Sequence, residues 1–250
     1  MGLWKKLKRV LSFDRPTPSD AQLDELESLI GYRFSDRELL RLSLTHRSIA
    51  RSADQSTPSN ERLEFLGDSV LGLVIAHQLF KRHPDLSEGD LTKQKAMLVN
   101  EATLSSVAIE IGLNRFIFIS AEEEKSGGRE RPSIVSDAFE SIIGAVFLDG
   151  GLAAARSLVL DTIYSRKAVI LADDSQRNYK GDFLEMMQAR AVGMPRYEIV
   201  SETGPDHDKT FSVIVTVAGE EVGSGTGSSK KEAEQKAAAE ALRRMEEPGD

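Results

Sequence analysis

The sequence predicts an all-α domain followed by a small α+β domain of order α-β-β-β-α. Residues 20–171 show helical periodicity and contain no credible strand. Residues 196–203 and 209–218 alternate apolar and polar side chains, as strands with one buried face do. An alanine-rich stretch opening at Ser229 then predicts a closing helix, with Glu232 completing its N-terminal cap.

Length and composition fit this division. A chain of 250 residues with 40% hydrophobic content can form one large domain and one small one. The absence of cysteine excludes a disulfide scaffold and thiolate metal sites, and it fits a reducing compartment. We expect a cytoplasmic protein with no membrane partner, since no apolar run is expected to reach membrane-spanning length.

The N-terminal segment MGLWKKLKRVLSFDR is basic but lacks the apolar core and cleavage site of a signal peptide. We therefore expect a flexible leader at residues 1–19. The net charge of the chain is −8, and from Asn178 onward there are 9 basic and 14 acidic residues. Any nucleic-acid binding must therefore come from a local basic patch.

The helical part begins with AQLDELESLIG, an amphipathic helix that ends at Gly31. A second helix follows, for which Ser35 and Glu38 predict a capping box. His46 is expected to be a packed or hydrogen-bonded core residue, because no nucleophile is spaced to use it. Two further helical segments should break near Asn100.

The helix predicted at Asn60–Phe80 organises the domain. Its acids Glu61, Glu64 and Asp68 share one stripe, and the helix is otherwise apolar almost all round, which predicts burial. No basic residue follows in the helix before Lys81, so the carboxylates need another positive partner. A divalent cation is the simplest answer. The opposite arc holds Leu63, Leu66, Val70, Leu73 and Val74.

A second acidic helix is predicted at Ser133–Leu148, with Asp137 and Glu140 on one stripe. Gly144 lies one turn beyond Glu140, as Gly72 lies one turn beyond Asp68. Glycine at such positions lets two helix backbones approach closely. We infer that the helices cross with their acids converging; the alternative is that the acids lie on solvated faces or at caps. A charged loop, IFISAEEEKSGGRERP, precedes this helix, and residues 151–171 form another.

These stretches carry a family resemblance. NERLEFLGDSVL resembles the signature helix of the ribonuclease III family, and SIVSDAFESIIGAVFLD resembles its second acidic helix. The resemblance extends over nearly the whole chain from about residue 20. It implies a helical catalytic domain at 20–171, a linker at 172–177 and a double-stranded-RNA-binding domain at 178–247.

The C-terminal resemblance rests on the element order, on the GPDHDKTF loop between strands and on GSSKKEAEQKAA opening the last helix. Lys230 and Lys231 lie at a helix N-terminus, where free N–H groups favour phosphate. Leu184 stands where the family often carries a glutamine that reaches the minor groove. The predicted RNA-binding residues are Glu185, Gln188, His207, Lys209, Lys230, Lys231 and Lys236.

The resemblance implies an endoribonuclease that cleaves double-stranded RNA by metal-assisted hydrolysis, leaving 5′-phosphate and 3′-hydroxyl ends. Ribosomal RNA precursors and some messenger RNAs are the implied substrates. Carboxylate oxygens without cysteine favour Mg²⁺, with Mn²⁺ as a substitute, and we expect no small-molecule cofactor. The expected metal set is Glu64, Asp68, Asp137 and Glu140, of which Asp68 and Glu140 should be the most sensitive.

Glu61 and Glu88 are expected to support the site rather than ligate metal. One cluster cuts one strand, so cutting a duplex predicts a homodimer. The resemblance implies that Phe65 inserts into the partner subunit. Two alternatives stay open: a non-catalytic double-stranded-RNA-binding or ribosome-assembly protein, and a nuclease for DNA or single strands.

Overall fold

The computed structural model describes residues 19–49, 58–173, 177–205 and 208–246. The described residues up to 173 form one compact unit, and those from 177 onward form a second. Residues 1–18 of the predicted leader (1–19) and residues 174–176 of the predicted linker lie outside the described residues. The proposed domain limits therefore stay predictions.

The first unit is helical. Its described residues contain one isolated β-bridge, in which Thr45 pairs with Phe118. The helices are α1 (Asp20–Ile30), α2 (Arg37–Ser43), α3 (Glu61–Arg82), α4 (Glu88–Val99), α5 (Glu101–Glu110), α6 (Ala121–Lys125), α7 (Pro132–Thr162) and α8 (Lys167–Leu171).

Two predicted helix starts can be compared with the caps in the structure. The predicted break at Asn100 is confirmed, because its side chain accepts the Thr103 N–H at 2.8 Å and starts α5. The predicted capping box at Ser35 is wrong, since Asp36 caps α2 instead. The backbone N–H of Ser35 is held outside the helix by the Asp149 carboxylate, to which it donates at 2.8 Å.

The second acidic helix is followed by a kink and a further helical segment. Residues 132–162, labelled α7, comprise two helical segments that meet at a kink, because the backbone of Gly151 is non-helical, with φ of 74° and ψ of −175°. A positive φ of this kind is tolerated by glycine without steric cost. The sequence predicted two separate helices over this stretch. The kink at Gly151 separates two such segments, as predicted, and the second ends at Thr162 rather than at Leu171.

Helices α3 and α7 form the centre of the first unit and pack mainly against each other. By length and composition alone, α3 and the stretch Pro132–Leu171 could each cross a membrane. The expectation that no apolar run reaches that length is therefore wrong. Core helices of globular domains meet the same test, because both kinds of helix exchange water for apolar surroundings.

Burial of α3 is also incomplete, contrary to the prediction. A row along this helix exposes large apolar side chains: Phe65 is 78% exposed, Leu73 57% and Phe80 73%. Leu73 was predicted to lie on the buried arc, and that placement is wrong. The helix has one face in the core and one apolar face that no described residue of the first unit covers.

The second unit has the predicted α-β-β-β-α order. It comprises α9 (Tyr179–Arg190), β1 (Arg196–Thr203), β2 (Thr210–Val217), β3 (Glu220–Gly227) and α10 (Lys230–Glu246). The strands form an antiparallel sheet in the order β1-β2-β3. The predicted buried face of β2 is confirmed. It consists of Phe211, Val213, Val215 and Val217.

Helix α10 lies directly on β3. A β-carbon on Gly225 would fall 2.4 Å from the carbonyl oxygen of Ala233, and one on Gly223 would fall 2.5 Å from that of Ala237. The small residues on both elements therefore let the helix backbone touch the sheet. This contact fixes the position of the lysine-bearing start of α10.

Candidate active site

The two acidic helices cross in backbone contact. A β-carbon on Gly67 would lie 1.8 Å from the carbonyl oxygen of Glu140, and one on Gly144 would lie 2.3 Å from that of Leu63. The predicted close approach at Gly144 is thus confirmed. The predicted role of Gly72 is wrong, because a β-carbon there would meet only the Lys95 side chain, at 3.5 Å.

The crossing brings three carboxylates together. Glu64 on α3 and Asp137 and Glu140 on α7 each place one oxygen within 4.8 Å of the others. All three side chains are half-buried. Such a set, made only of carboxylate oxygens, suits a hard divalent cation such as Mg²⁺ or Mn²⁺ better than zinc. The residues present therefore fit a metal ion.

Asp68 is the fourth predicted ligand, and it lies outside this group of three. It is exposed on α3, one turn beyond Glu64. Its carboxylate still acts on the site, since it is the strongest electrostatic contributor to the raised pKa of Glu140. The structure therefore places Asp68 at the rim of the three-carboxylate group.

The carboxylates repel one another. Burial raises the pKa of Glu140 to about 8, and the charges of Asp68, Asp137 and Glu64 add to the rise. Burial, then the charge of Asp137, raises the pKa of Glu64. Burial also raises the pKa of Asp137. A bound cation would remove this repulsion, since it favours the ionised form of every carboxylate around it.

Arg47 is a basic residue at the site that sequence reasoning missed. Its guanidinium works against the burial that raises the pKa of Asp137 and Glu64, and its Nη1 lies 3.8 Å from a carboxylate oxygen of Glu61. It also lines a cavity of about 500 Å³ that reaches Asp137. The sequence offered one signal for Arg47, namely that it is a basic residue directly after His46. Residues 50–57, which lie outside the described part, separate Arg47 from α3 along the chain.

His46 is packed, as predicted. It is buried, and its Nδ1 accepts the Ser48 backbone N–H at 3.2 Å and lies 2.9 Å from the Ser48 hydroxyl. Burial lowers its pKa. The ring is therefore neutral near pH 7, and it forms part of the cavity wall.

The two supporting acids lie outside the three-carboxylate group. Glu61 is exposed at the start of α3, where it accepts a 2.7 Å hydrogen bond from the Ser59 hydroxyl. Glu88 begins α4 and accepts a 3.0 Å hydrogen bond from the Thr92 hydroxyl. Neither contact tests the supporting role expected of Glu61 and Glu88, which therefore stays a prediction.

The second unit presents its basic residues at the start of α10. Lys230 and Lys231 are exposed there, and the Lys230 ammonium lies 5.8 Å from the centre of the Phe211 ring. The predicted cap is confirmed, because the Ser229 hydroxyl accepts the Glu232 N–H at 3.2 Å. The free N–H groups and the lysines together form a site suited to phosphate.

Other predicted RNA contacts are tied to neighbouring acids. Lys236 lies 2.7 Å from a carboxylate oxygen of Glu232, and Lys209 lies 2.8 Å from one of Glu202. Both pairs are partly exposed, so phosphate can compete for these lysines at little cost. Glu185 and Gln188 are exposed on α9. His207 lies outside the described residues.

Comparison with known proteins decides the family. Residues 36–167 match the model of the ribonuclease-III-like family, and residues 179–245 match the double-stranded RNA binding motif. The chain belongs to the ribonuclease III family.

Similar proteins cover nearly the whole chain. Ribonuclease 3 of Geobacter metallireducens is 45% identical over 90% of this chain and 93% of its own length. Ribonuclease 3 of Caldanaerobacter subterraneus is 46% identical over 89% of this chain and 98% of its own. The solved nuclease domain of ribonuclease III from Campylobacter jejuni is 44% identical, with a TM-score of 0.54, covering 57% of this chain and 96% of that one.

Family membership decides between an enzyme and a non-catalytic RNA-binding protein. This ribonuclease III chain is an endoribonuclease that acts on double-stranded RNA, and its C-terminal unit is the RNA-binding motif. The non-catalytic alternative is disfavoured. The family is one of soluble, metal-dependent, RNA-acting enzymes, and Glu64, Asp137 and Glu140 could bind a metal.

Proposed function

We propose that this ribonuclease III cleaves both strands of a duplex with Mg²⁺ held by Glu64, Asp68, Asp137 and Glu140. The observation that carries the proposal is the convergence of three carboxylates within 4.8 Å at a glycine-lined helix crossing. Asp68 completes the set by a side-chain rotation, because it is exposed and only one turn from Glu64. Mn²⁺ should substitute.

Bound Mg²⁺ supplies an activated water and neutralises charge on the phosphate, giving 5′-phosphate and 3′-hydroxyl ends. The protein contributes fixed geometry. The α3–α7 crossing holds Glu64 and Glu140 on rigid helices, so little reorganisation is needed during reaction. Arg47 keeps Asp137 and Glu64 more readily ionised, and therefore available as ligands, than burial alone would allow.

In a homodimer, the second copy of the carboxylate site cuts the other strand of the duplex. The exposed row of Phe65, Leu73 and Phe80 on α3 is an apolar surface of the kind that marks an interface. The ribonuclease III structure from Campylobacter jejuni is described as flexible in a region involved in dimer formation. We infer that Phe65 packs against a second copy of this chain.

The RNA duplex is held by the second unit through Lys230 and Lys231, with Lys209, Lys236, Glu185, Gln188 and His207 as further contacts. A-form grooves and 2′-hydroxyls are what such a domain reads. Leu184 should alter minor-groove contacts relative to family members that carry glutamine there. The cellular substrates we propose are ribosomal RNA precursors and some messenger RNAs, processed in the cytoplasm.

The test uses labelled double-stranded RNA, double-stranded DNA and single-stranded RNA, each with and without Mg²⁺. Wild type should cut only the RNA duplex, and only with metal. Glu140→Gln and Asp68→Asn should abolish cleavage and retain RNA binding, whereas Asp161→Asn, at the far end of α7, should behave as wild type. Full Mg²⁺-dependent activity in either site variant would refute the ligand assignment.

A further inference from the structure

The Lys95 side chain reaches from α4 onto the acid-bearing side of α3. Its Nζ and Cε lie 3.5 and 3.6 Å from the position that a β-carbon on Gly72 would occupy. Gly72 is one turn beyond Asp68, so it continues the stripe that carries Glu64 and Asp68. An ammonium group therefore lies beside the carboxylate site, supplied by a different helix.

In the described part of the chain, the Lys95 ammonium group lies without a charged partner. Among the residues that the structure describes, Lys95 makes no hydrogen bond and no ion pair, although its side chain is half-buried. A lysine that is not fully exposed normally extends its charge into water or pairs it with a carboxylate.

Charge compensation within the metal-free site does not explain this arrangement. Repulsion among the carboxylates is greatest without a cation, and a compensating lysine would then contact one of them. Lys95 instead lies over Gly72, where the missing side chain leaves room beside the helix. Its charge is thus available for an anion that arrives from outside the chain.

We propose that Lys95 binds a phosphate of the RNA strand next to the bond that is cut. This inference rests on the proposed function, which brings the RNA backbone to the carboxylates one turn away. A compact ammonium donates to phosphate as a point charge. The contact fixes the strand along α3, so that the reacting phosphate meets Glu64, Asp137 and Glu140.

The first experiment compares Lys95→Gln and Lys95→Arg with the control Lys81→Gln, an exposed lysine later in α3. Lys95→Gln should lower kcat/KM on double-stranded RNA about 10- to 100-fold, the scale of one lost charged hydrogen bond. Lys95→Arg should recover most of that loss, and Lys81→Gln should match wild type. Gly72→Leu, which pushes the ammonium aside, should reproduce the Lys95→Gln defect.

The second experiment locates the contact on the RNA. A neutral methylphosphonate linkage is placed, one position at a time, at each phosphate flanking the cut. Wild type should lose activity at one position, and Lys95→Gln should lose nothing further there. Equal additional losses of activity in Lys95→Gln at every position would overturn the proposal. A weakened dimer in Lys95→Gln, measured by sedimentation, would also overturn it, because the lysine would then contact the partner subunit. Absence of any wild-type cleavage would instead refute the proposed function.

Discussion

Gly67 and Glu140 are in backbone contact: a β-carbon on Gly67 would lie 1.8 Å from the carbonyl oxygen of Glu140. The glycine is flanked on α3 by Glu64 and Asp68, so the closest point of the two helices is also the point where the acids meet. Any side chain at Gly67 would separate the helices and, with them, the carboxylates. Fold and chemistry therefore depend on the same contact.

Gly67→Ala should destabilise the first unit by about 3 kcal/mol or more, because overpacking against a helix backbone cannot be relieved by a rotamer change. Cleavage should be lost along with stability. Urea unfolding followed by circular dichroism measures the loss. Gly72→Ala is the matched control and should be tolerated, since its new methyl would meet only the Lys95 side chain at 3.5 Å. Equal stability of the two variants would contradict the assignment of Gly67 to the crossing.

Glu140→Gln should stabilise the metal-free protein at alkaline pH. The folded pKa of Glu140 is about 8, against an ordinary value of 4.5. The contribution of Glu140 to folding stability is therefore fully present below pH 4.5 and is lost as pH rises towards 8, because this carboxyl ionises first in the unfolded chain. Thermal melts in EDTA should show the variant gaining over wild type between pH 5 and 8, with no further gain above. Parallel melting curves across that range would contradict the raised pKa.

Arg47→Gln should move the acidic limb of the pH–activity profile to higher pH. The guanidinium lowers the pKa of Asp137 and Glu64, so its loss leaves both protonated over a wider range, in which they cannot bind metal. The measurement is kcat/KM from pH 5.5 to 9 at fixed Mg²⁺. Arg47→Lys keeps the charge and should restore the limb. An unshifted acidic limb in Arg47→Gln would contradict the electrostatic role assigned to Arg47.

Phe65→Ala should weaken the dimer and leave the monomer's stability unchanged, because the side chain is 78% exposed in the single chain. Truncating an aromatic that is fully buried at an interface costs about 3–5 kcal/mol. Analytical ultracentrifugation at nanomolar concentration measures the effect, with Ile109→Ala, an exposed apolar residue of α5, as the control. An unchanged dimer in Phe65→Ala would show that Phe65 does not contact the second copy of the chain.

A protein ending at Asp173 should keep the chemistry and lose affinity. All proposed metal ligands lie at or before Glu140, and Lys230 and Lys231 are removed. On a nucleic-acid duplex, log K falls with log salt at roughly −0.9 per neutralised phosphate. The truncated enzyme should therefore cut double-stranded RNA with Mg²⁺ at low salt and fail near physiological salt. Wild-type activity at physiological salt would refute the binding role of the second unit.

Several features of the site were readable from local sequence. Helical periodicity placed Glu64 and Asp68 on one stripe and Asp137 and Glu140 on another, and alternation identified the buried face of β2. Cap chemistry identified Asn100 and Ser229. It failed at Ser35, where a hydrogen bond from its backbone N–H to Asp149, distant in the sequence, displaced the local cap.

The sequence by itself determined which residue types lie on each helix face, the order of elements and the family, because these depend on backbone periodicity and on motifs a few residues long. The tertiary structure decided that Gly67 rather than Gly72 lies at the crossing, that three carboxylates converge with Asp68 at their rim, and that Arg47 and Lys95 lie beside them. It also decided that α3 leaves Phe65 and Leu73 exposed. These outcomes depend on where two helices touch and which side chains arrive from other elements, and periodicity along one helix carries no information about either.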